Sequence, residues 1–176
     1  NLIYMTCGAA ASLTITLNAI LNEDDEVIVL APFFPEYTVF IEKAAGKCKV
    51  VKCREEDFQI DFATLEKSIN KNTKAIIINY PNNPSGVVLN EDTISKLSIL
   101  LNEKQKELGT DIYIIADEPY RELVYDDVEV PYIPNYYDNT VVCYSYSKSL
   151  SLPGERIGYI FVSKKVSNCS DVYAAV

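Results

Sequence analysis

The chain of 176 residues contains no histidine, no tryptophan and a single methionine. Without histidine, zinc sites built on imidazole ligands are excluded, and so is nucleophilic catalysis by a Ser-His or Cys-His pair. The five cysteines, at positions 7, 48, 53, 143 and 169, do not follow the spacing of metal ligands. We therefore predict no metal site, and reduced thiols of the kind found in the cytoplasm.

Positive charge is also scarce, since 16 lysines and arginines face 25 aspartates and glutamates, for a net charge of −9. This balance disfavours nucleic acid as a partner. No apolar run is long enough to cross a membrane, and the first residues lack the basic-then-apolar layout of a signal peptide. We predict a cytoplasmic protein whose ligands are small molecules.

Apolar runs typical of buried strands alternate with stretches of helical periodicity. The predicted strands are 2–6, 26–30, 49–52, 75–79, 112–116, 141–144 and 157–162, and the predicted helices are 10–21, 35–45, 62–69 and 91–108. Asp61 and Asn90 are predicted N-caps, while Gly46 and Gly109 lie where helices end. This alternation predicts a single α/β domain, residues 1–176, built on a mostly parallel sheet covered by helices.

The most informative segment begins where the apolar run Val141–Cys143 ends. It places Lys148 among hydroxyl residues, in Ser145-Tyr146-Ser147-Lys148, with Arg156 eight positions later. Ligands of α/β proteins bind at the carboxyl ends of strands, so a lysine at this position is a candidate for a cofactor.

Three further apolar runs end in polar or glycine-containing segments. The first turns at Gly8 into an Ala-rich helical stretch, whose unpaired amides are suited to a phosphate. The second ends in the loop 79–86, which contains Asn83-Pro84-Ser85-Gly86, and the third ends in Asp117 with Tyr120 three residues later. Each motif is weak by itself, because Asn-Pro-Ser-Gly is an ordinary turn and a lone aspartate can cap a helix.

Taken together and in this order, the segments resemble the large domain of the class I/II, fold-type I pyridoxal-phosphate aminotransferases. The matching elements are Gly-Ala, an aromatic residue, Asn-Pro-x-Gly, Asp-x-x-Tyr, Ser-x-Ser-Lys and Arg-x-Gly. The resemblance implies a three-layer α/β/α sandwich with a seven-stranded sheet whose last strand is antiparallel. It also implies pyridoxal 5'-phosphate as cofactor, amino-acid and 2-oxo-acid substrates, and a homodimer.

The resemblance also assigns roles to three catalytic residues. Lys148 matches the lysine that forms the resting Schiff base and then carries a proton from the substrate α-carbon. Asp117 matches the acid that keeps the pyridine nitrogen protonated, so that the ring can accept electrons. Tyr120 matches the phenol that hydrogen-bonds the ring hydroxyl.

The remaining matches are cofactor-binding residues. Asn83 matches the asparagine beside the same ring oxygen, and Phe34 matches the aromatic residue that stacks on the ring, whereas Phe33 is assigned to the core. Tyr37 is a weaker candidate for the site, and Asn79 and Asn82 are assigned to the turn. The predicted phosphate ligands are the amides of Ala9 and Ala10, the hydroxyls of Ser145, preferred, and Ser147, and the Arg156 guanidinium.

This reading favours an amino-acid transaminase that acts on aspartate or an aromatic amino acid. A carbon–sulfur β-lyase of the same fold, and a non-catalytic sensor domain of a transcriptional regulator, remain open. Cys7 and Phe34 depart from common family patterns and leave the substrate undecided. Enzymes of the family also contain an N-terminal segment and a C-terminal small domain with an arginine for the substrate carboxylate. We therefore expect the chain to be truncated at both ends, and the isolated fragment to be inactive.

Overall fold

A computed structural model describes residues 2–176, which form one seven-stranded sheet with helices on both faces. The strands are β1 (Leu2–Thr6), β2 (Glu26–Ala31), β3 (Lys47–Lys52), β4 (Thr73–Ile78), β5 (Tyr113–Asp117), β6 (Thr140–Ser145) and β7 (Gly158–Val162). Their order across the sheet is β1-β7-β6-β5-β4-β2-β3. Strand β7 is antiparallel to both of its neighbours, and the other pairs are parallel, which confirms the predicted sheet.

The helices are α1 (Ala9–Ile20), α2 (Glu36–Lys43), α3 (Phe62–Ser68), α4 (Glu91–Leu108), α5 (Tyr146–Ser149) and α6 (Cys169–Ala175). The predicted caps are confirmed, because Asp61 accepts a hydrogen bond from the Thr64 amide and Asn90 from the Thr93 amide. Gly109 ends α4 with a left-handed φ of 67°. Helix α5 was not predicted, since a single turn is too short to show a period.

Two apolar cores, one on each face of the sheet, create the three layers. On one face, Leu97 and Leu101 of α4 pack with Ile76 and Ile114 of the sheet. On the other face, Leu13 and Leu17 of α1 and Tyr37 and Ile41 of α2 pack with Val29 and Ile115. Central strands that are buried on both faces have near-continuous apolar sequences, and for this reason they could be predicted from the sequence.

The strand directions place the polar segments together. The carboxyl ends of β1, β2, β4, β5 and β6 lie at one edge of the sheet, and the antiparallel β7 begins at that edge. The segments that follow these strands, and the segment that precedes β7, therefore meet there. Within residues 2–176, no helix combines the length and the apolar character needed to span a membrane.

Candidate active site

A cleft of about 350 Å³ opens at this edge of the sheet. All ten residues predicted from the sequence line it: Ala9, Ala10, Phe34, Asn83, Asp117, Tyr120, Ser145, Ser147, Lys148 and Arg156. The lining also includes residues outside the predicted set: Leu13, Glu36, Tyr37, Asn79, Pro119 and Pro153.

Asp117, the last residue of β5, forms the buried end of the cleft and is only 6% exposed. Its Oδ2 accepts a hydrogen bond of 2.5 Å from the Tyr37 hydroxyl. Its Oδ1 is buried and has no hydrogen-bond partner among the described residues. Burial raises the pKa of this carboxyl to about 6, and the Tyr37 hydrogen bond partly opposes the shift. An acceptor atom left without water or a partner is costly, so Oδ1 is suited to a donor from a ligand.

Asn79, which the sequence analysis assigned only to the turn, contacts two residues of the site. Its Nδ2 donates to the Asp117 carbonyl at 2.9 Å and lies 3.4 Å from Asp117 Oδ2. Its Oδ1 accepts from the Asn83 amide at 3.0 Å. Asn79 therefore links two of the predicted site residues. Its position directly after a buried strand, like that of Asp117, was the available signal.

Tyr37 was predicted only as a weaker candidate, yet it is 1% exposed and holds Asp117. Burial, followed by the negative charge of Asp117, raises the pKa of Tyr37 well above its ordinary value. Its hydroxyl therefore stays protonated and donates. Phe34 packs edge-on against the Tyr37 ring with centroids 5.6 Å apart, and Phe33 lies parallel to that ring at 6.4 Å. Phe34 faces the cleft and Phe33 does not line it.

Lys148, Tyr120 and Asn83 lie in the open part of the cleft. Lys148 Nζ lies 5.9 Å from the centre of the Tyr120 ring. Burial, then the charge of Asp117, raises the pKa of the Tyr120 phenol, while the Asn83 side chain lowers it. An amine, a phenol and an amide therefore line the same part of the cleft.

The opposite end of the cleft has the features of an anion site. Helix α1 begins after Gly8, and no side chain caps it, so its first amides point to the cleft unpaired. Ser145, at the end of β6, donates to the Ser147 hydroxyl at 2.7 Å and accepts from the Ser147 amide at 3.1 Å. Ser145 and Ser147 line the same cleft as Ala9 and Ala10.

Arg156 completes this end and is held by main-chain carbonyls. It donates to the carbonyls of Pro153 at 2.9 Å and Cys7 at 3.3 Å, and to the Ser147 hydroxyl at 3.5 Å. Gly8 is required here, because it has a φ of 92° and a Cβ at this position would lie 2.7 Å from the guanidinium. A Cβ on Gly158 would likewise lie 2.8 Å from the Gly8 Cα.

The sequence profile of one family, described as aminotransferase class I and II, matches residues 1–174. The chain belongs to this aminotransferase family. A probable aspartate aminotransferase from Methanocaldococcus jannaschii is 33% identical over 171 residues, which are 97% of this chain and 43% of that protein. An aspartate aminotransferase from Bacillus subtilis is 36% identical, with 93% of this chain and 42% of that protein covered.

Solved aminotransferase structures show the same fold. A crystal structure of an amino transferase from Eubacterium rectale superposes with a TM-score of 0.97 at 57% identity, and covers 98% of this chain and 44% of that one. Aspartate aminotransferase from Thermotoga maritima superposes with a TM-score of 0.86 at 33% identity, with 98% and 45% covered. The chain thus spans less than half the length of the aminotransferases it matches.

Proposed function

We propose that the protein carrying this chain is a pyridoxal-phosphate-dependent amino-acid transaminase. It would transfer the amino group of an amino acid to a 2-oxo acid. The observation that carries the proposal is Asp117 Oδ1, a buried carboxylate oxygen without a partner in the described residues, in the same cleft as Lys148. This pairing of an isolated acceptor with a lysine suits a cationic heteroaromatic ring bearing an aldehyde.

The donor set fits the rest of that cofactor. A phosphate needs amides, hydroxyls and a guanidinium, and the far end of the cleft offers Ala9, Ala10, Ser145, Ser147 and Arg156. A ring hydroxyl needs donors such as Tyr120 and Asn83. The aromatic face of Phe34 is suited to cover the ring and exclude water from it.

When bound, pyridoxal phosphate supplies the electron sink that stabilises negative charge at the substrate α-carbon. The Asp117 carboxylate would keep the ring nitrogen protonated, through the unpaired Oδ1. Tyr37 and Asn79 keep that carboxylate in place. Lys148 Nζ would hold the cofactor in the resting protein and would serve as the base for the proton of the α-carbon.

We extend the proposal to the substrate and to assembly. Relatives and structural neighbours include aspartate aminotransferases, and an aromatic aminotransferase from Pyrococcus horikoshii at 26% identity. These names support aspartate or an aromatic amino acid as donor for this protein. A homodimer is supported by the exposed apolar side chains of Leu150, Leu152 and Ile157, close in sequence to Lys148, which a second subunit would cover.

The test is trapping followed by product analysis. Borohydride treatment of the protein with pyridoxal phosphate should fix a pyridoxyl group on Lys148, located by mass spectrometry, and Lys148→Ala should prevent it. Label on another lysine would contradict the site. In a separate sample without borohydride, aspartate or phenylalanine should yield its 2-oxo acid in a half-reaction.

The same assay distinguishes a transaminase from a β-lyase and from a non-catalytic sensor domain. A carbon–sulfur β-lyase would release pyruvate and ammonia from cysteine-type substrates without needing a 2-oxo-acid acceptor. A cofactor-binding sensor domain would be labelled at Lys148 and yet give neither product. Either result would replace the proposed transamination while leaving the assignment of the cofactor site intact.

A further inference from the structure

Helix α5, which carries Lys148, is a single turn, and its two ends are supported very differently. Its beginning is fixed by Ser145, whose hydroxyl accepts from the Ser147 amide, and by the Tyr146 amide, which donates to Ile157 O on the approach to β7. Its end leads into residues 150–157, every one of which is exposed. The amides of Leu150 and Ser151 donate only to α5 itself, to the carbonyls of Tyr146 and Lys148. One turn with only local bonds is marginal by itself.

One side-chain contact braces that end. The Tyr144 hydroxyl donates to Ser149 Oγ at 2.8 Å, and so joins the last residue of α5 to the end of β6. Tyr144 is 5% exposed, and its ring is stacked on Tyr159 of β7 with centroids 5.0 Å apart. Burial raises the pKa of Tyr144, which keeps its hydroxyl protonated and able to donate. The anchor of this brace is therefore rigid.

We propose that Tyr144, through Ser149, is a positioning residue for Lys148. The inference rests on the proposed role of Lys148, because it says how the chain aims that amine. Lys148 is itself exposed and lies over the Tyr120 ring, so its direction depends on how α5 sits on the sheet. A small rotation of this one-turn helix would displace the tip of the Lys148 side chain more than its backbone. The Tyr144–Ser149 bond thus fixes the reach of Nζ toward Tyr120 and Asn83.

The chain offers a matched control. Tyr146 packs against the same two rings, at 5.2 Å from Tyr144 and 6.2 Å from Tyr159, but its hydroxyl forms no side-chain hydrogen bond in residues 2–176. Tyr144→Phe and Tyr146→Phe each remove one hydroxyl from the same cluster. A difference between them separates the contacts of the Tyr144 hydroxyl from the packing of the rings, and Ser149→Ala separates the bond to Ser149 from the contact of that hydroxyl with Glu122.

The first experiment uses the full chain without cofactor. Lysines are acetylated with acetic anhydride, and the labelling rate of Lys148 is divided by that of Lys164, an exposed lysine on the segment after β7. We expect Tyr144→Phe and Ser149→Ala each to change this ratio at least twofold. The double variant should change it no more than either single variant, since both remove one bond. Tyr146→Phe should leave it unchanged.

A second readout uses the whole protein that carries this chain, loaded with pyridoxal phosphate. Tyr144→Phe should lower kcat at least threefold with KM unchanged, because the substrate contacts remain while the amine is misdirected. A ratio of labelling rates equal to wild type in Tyr144→Phe, or additive effects in the double variant, would overturn the positioning role. If the labelling result holds and no transamination is found, the positioning stands and the proposed reaction fails.

Discussion

The two ends of the cleft are built on opposite principles. At the ring-nitrogen end, Asp117, Tyr37 and Asn79 are 6%, 1% and 5% exposed and already hydrogen-bonded to one another. Away from that end, Arg156 of the anion site and Lys148 of the one-turn helix α5 are exposed. The fold itself stabilises the buried carboxylate against its desolvation cost, whereas the exposed cations need a ligand to complete their contacts. Under the proposed function, the buried end tunes the electronics of the cofactor ring and the exposed end binds its phosphate.

Removing the amine at the open end should have the largest effect. Lys148→Ala should lower transamination by about 10⁴-fold, because no positioned group moves the proton from the α-carbon. Single-turnover rates with saturating pyridoxal phosphate measure this. Lys164→Ala, at an exposed lysine outside the cleft, is the control and should keep the wild-type rate. A loss of less than tenfold in Lys148→Ala would mean that another base serves.

Neutralising the buried end should come next. Asp117→Asn should lower the rate by about 10³-fold while pyridoxal phosphate still binds, because a neutral amide cannot hold the ring nitrogen protonated. Absorbance titration measures binding and steady-state assays measure the rate. Asp138→Asn, at an exposed carboxylate, is the control. Near-normal turnover of a fully loaded Asp117→Asn protein would refute the electronic role of the buried end.

Replacing Arg156 by lysine keeps the positive charge but changes its shape, and it should affect cofactor affinity alone. Arg156→Lys should weaken cofactor affinity by about tenfold, since lysine loses the two-pronged grip on phosphate. Equilibrium dialysis measures the dissociation constant. Arg54→Lys, on an exposed arginine paired with Asp57, is the control. If kcat at saturation fell as strongly as affinity, the separation of the two ends would be wrong.

The last prediction concerns stability: Asp117 lowers the stability of the cofactor-free chain at neutral pH although it is needed for activity. Burial raises the pKa of Asp117 to about 6 from 3.8, so the native state binds more protons than the unfolded state. The free energy of unfolding of the cofactor-free chain should therefore fall as pH rises from 4 through 6, by up to about 3 kcal/mol from this group.

Asp117→Asn removes this contribution. Urea unfolding at pH 4 and pH 8 should show a smaller difference between the two pH values in the variant than in wild type. Glu118, whose pKa is raised to about 7 chiefly by burial and to a smaller extent by the charge of Asp117, titrates in both proteins and leaves a pH dependence in the variant. If the free energy of unfolding depended on pH equally in the two proteins, burial would not raise the pKa of Asp117 in the native state.

The sequence revealed the parts of the fold and the site that depend on local chemistry. Continuous apolar runs predict buried strands. The residues that follow a run can then be assigned to the end of a strand, where ligands of α/β proteins bind. Lys148 and Asp117 were found in that way. The direction of β7 came from the resemblance alone, since an apolar run does not encode strand direction.

Contacts between distant segments could not be predicted. Tyr37 reaches Asp117 across 80 positions and Asn79 reaches it across 38, and no spacing rule relates residues so far apart. Helix α5 could not be predicted because it is too local rather than too distant: its four residues are fewer than the two turns over which a hydrophobic period can be detected. The residue types were visible in each case, and only the pairing needed the fold.

The position of β1 has a consequence for the order of folding. Within residues 2–176, β1 pairs with β7 alone, and this joins Thr6 to Gly158 across roughly 150 intervening residues. Gly8 follows β1 and Arg156 precedes β7, so the cradle between them cannot close until β7 has been synthesised. Asp117 can be seated earlier, among neighbouring parallel strands. Under the proposed function, tight capture of the phosphate therefore waits until β1 and β7 have paired.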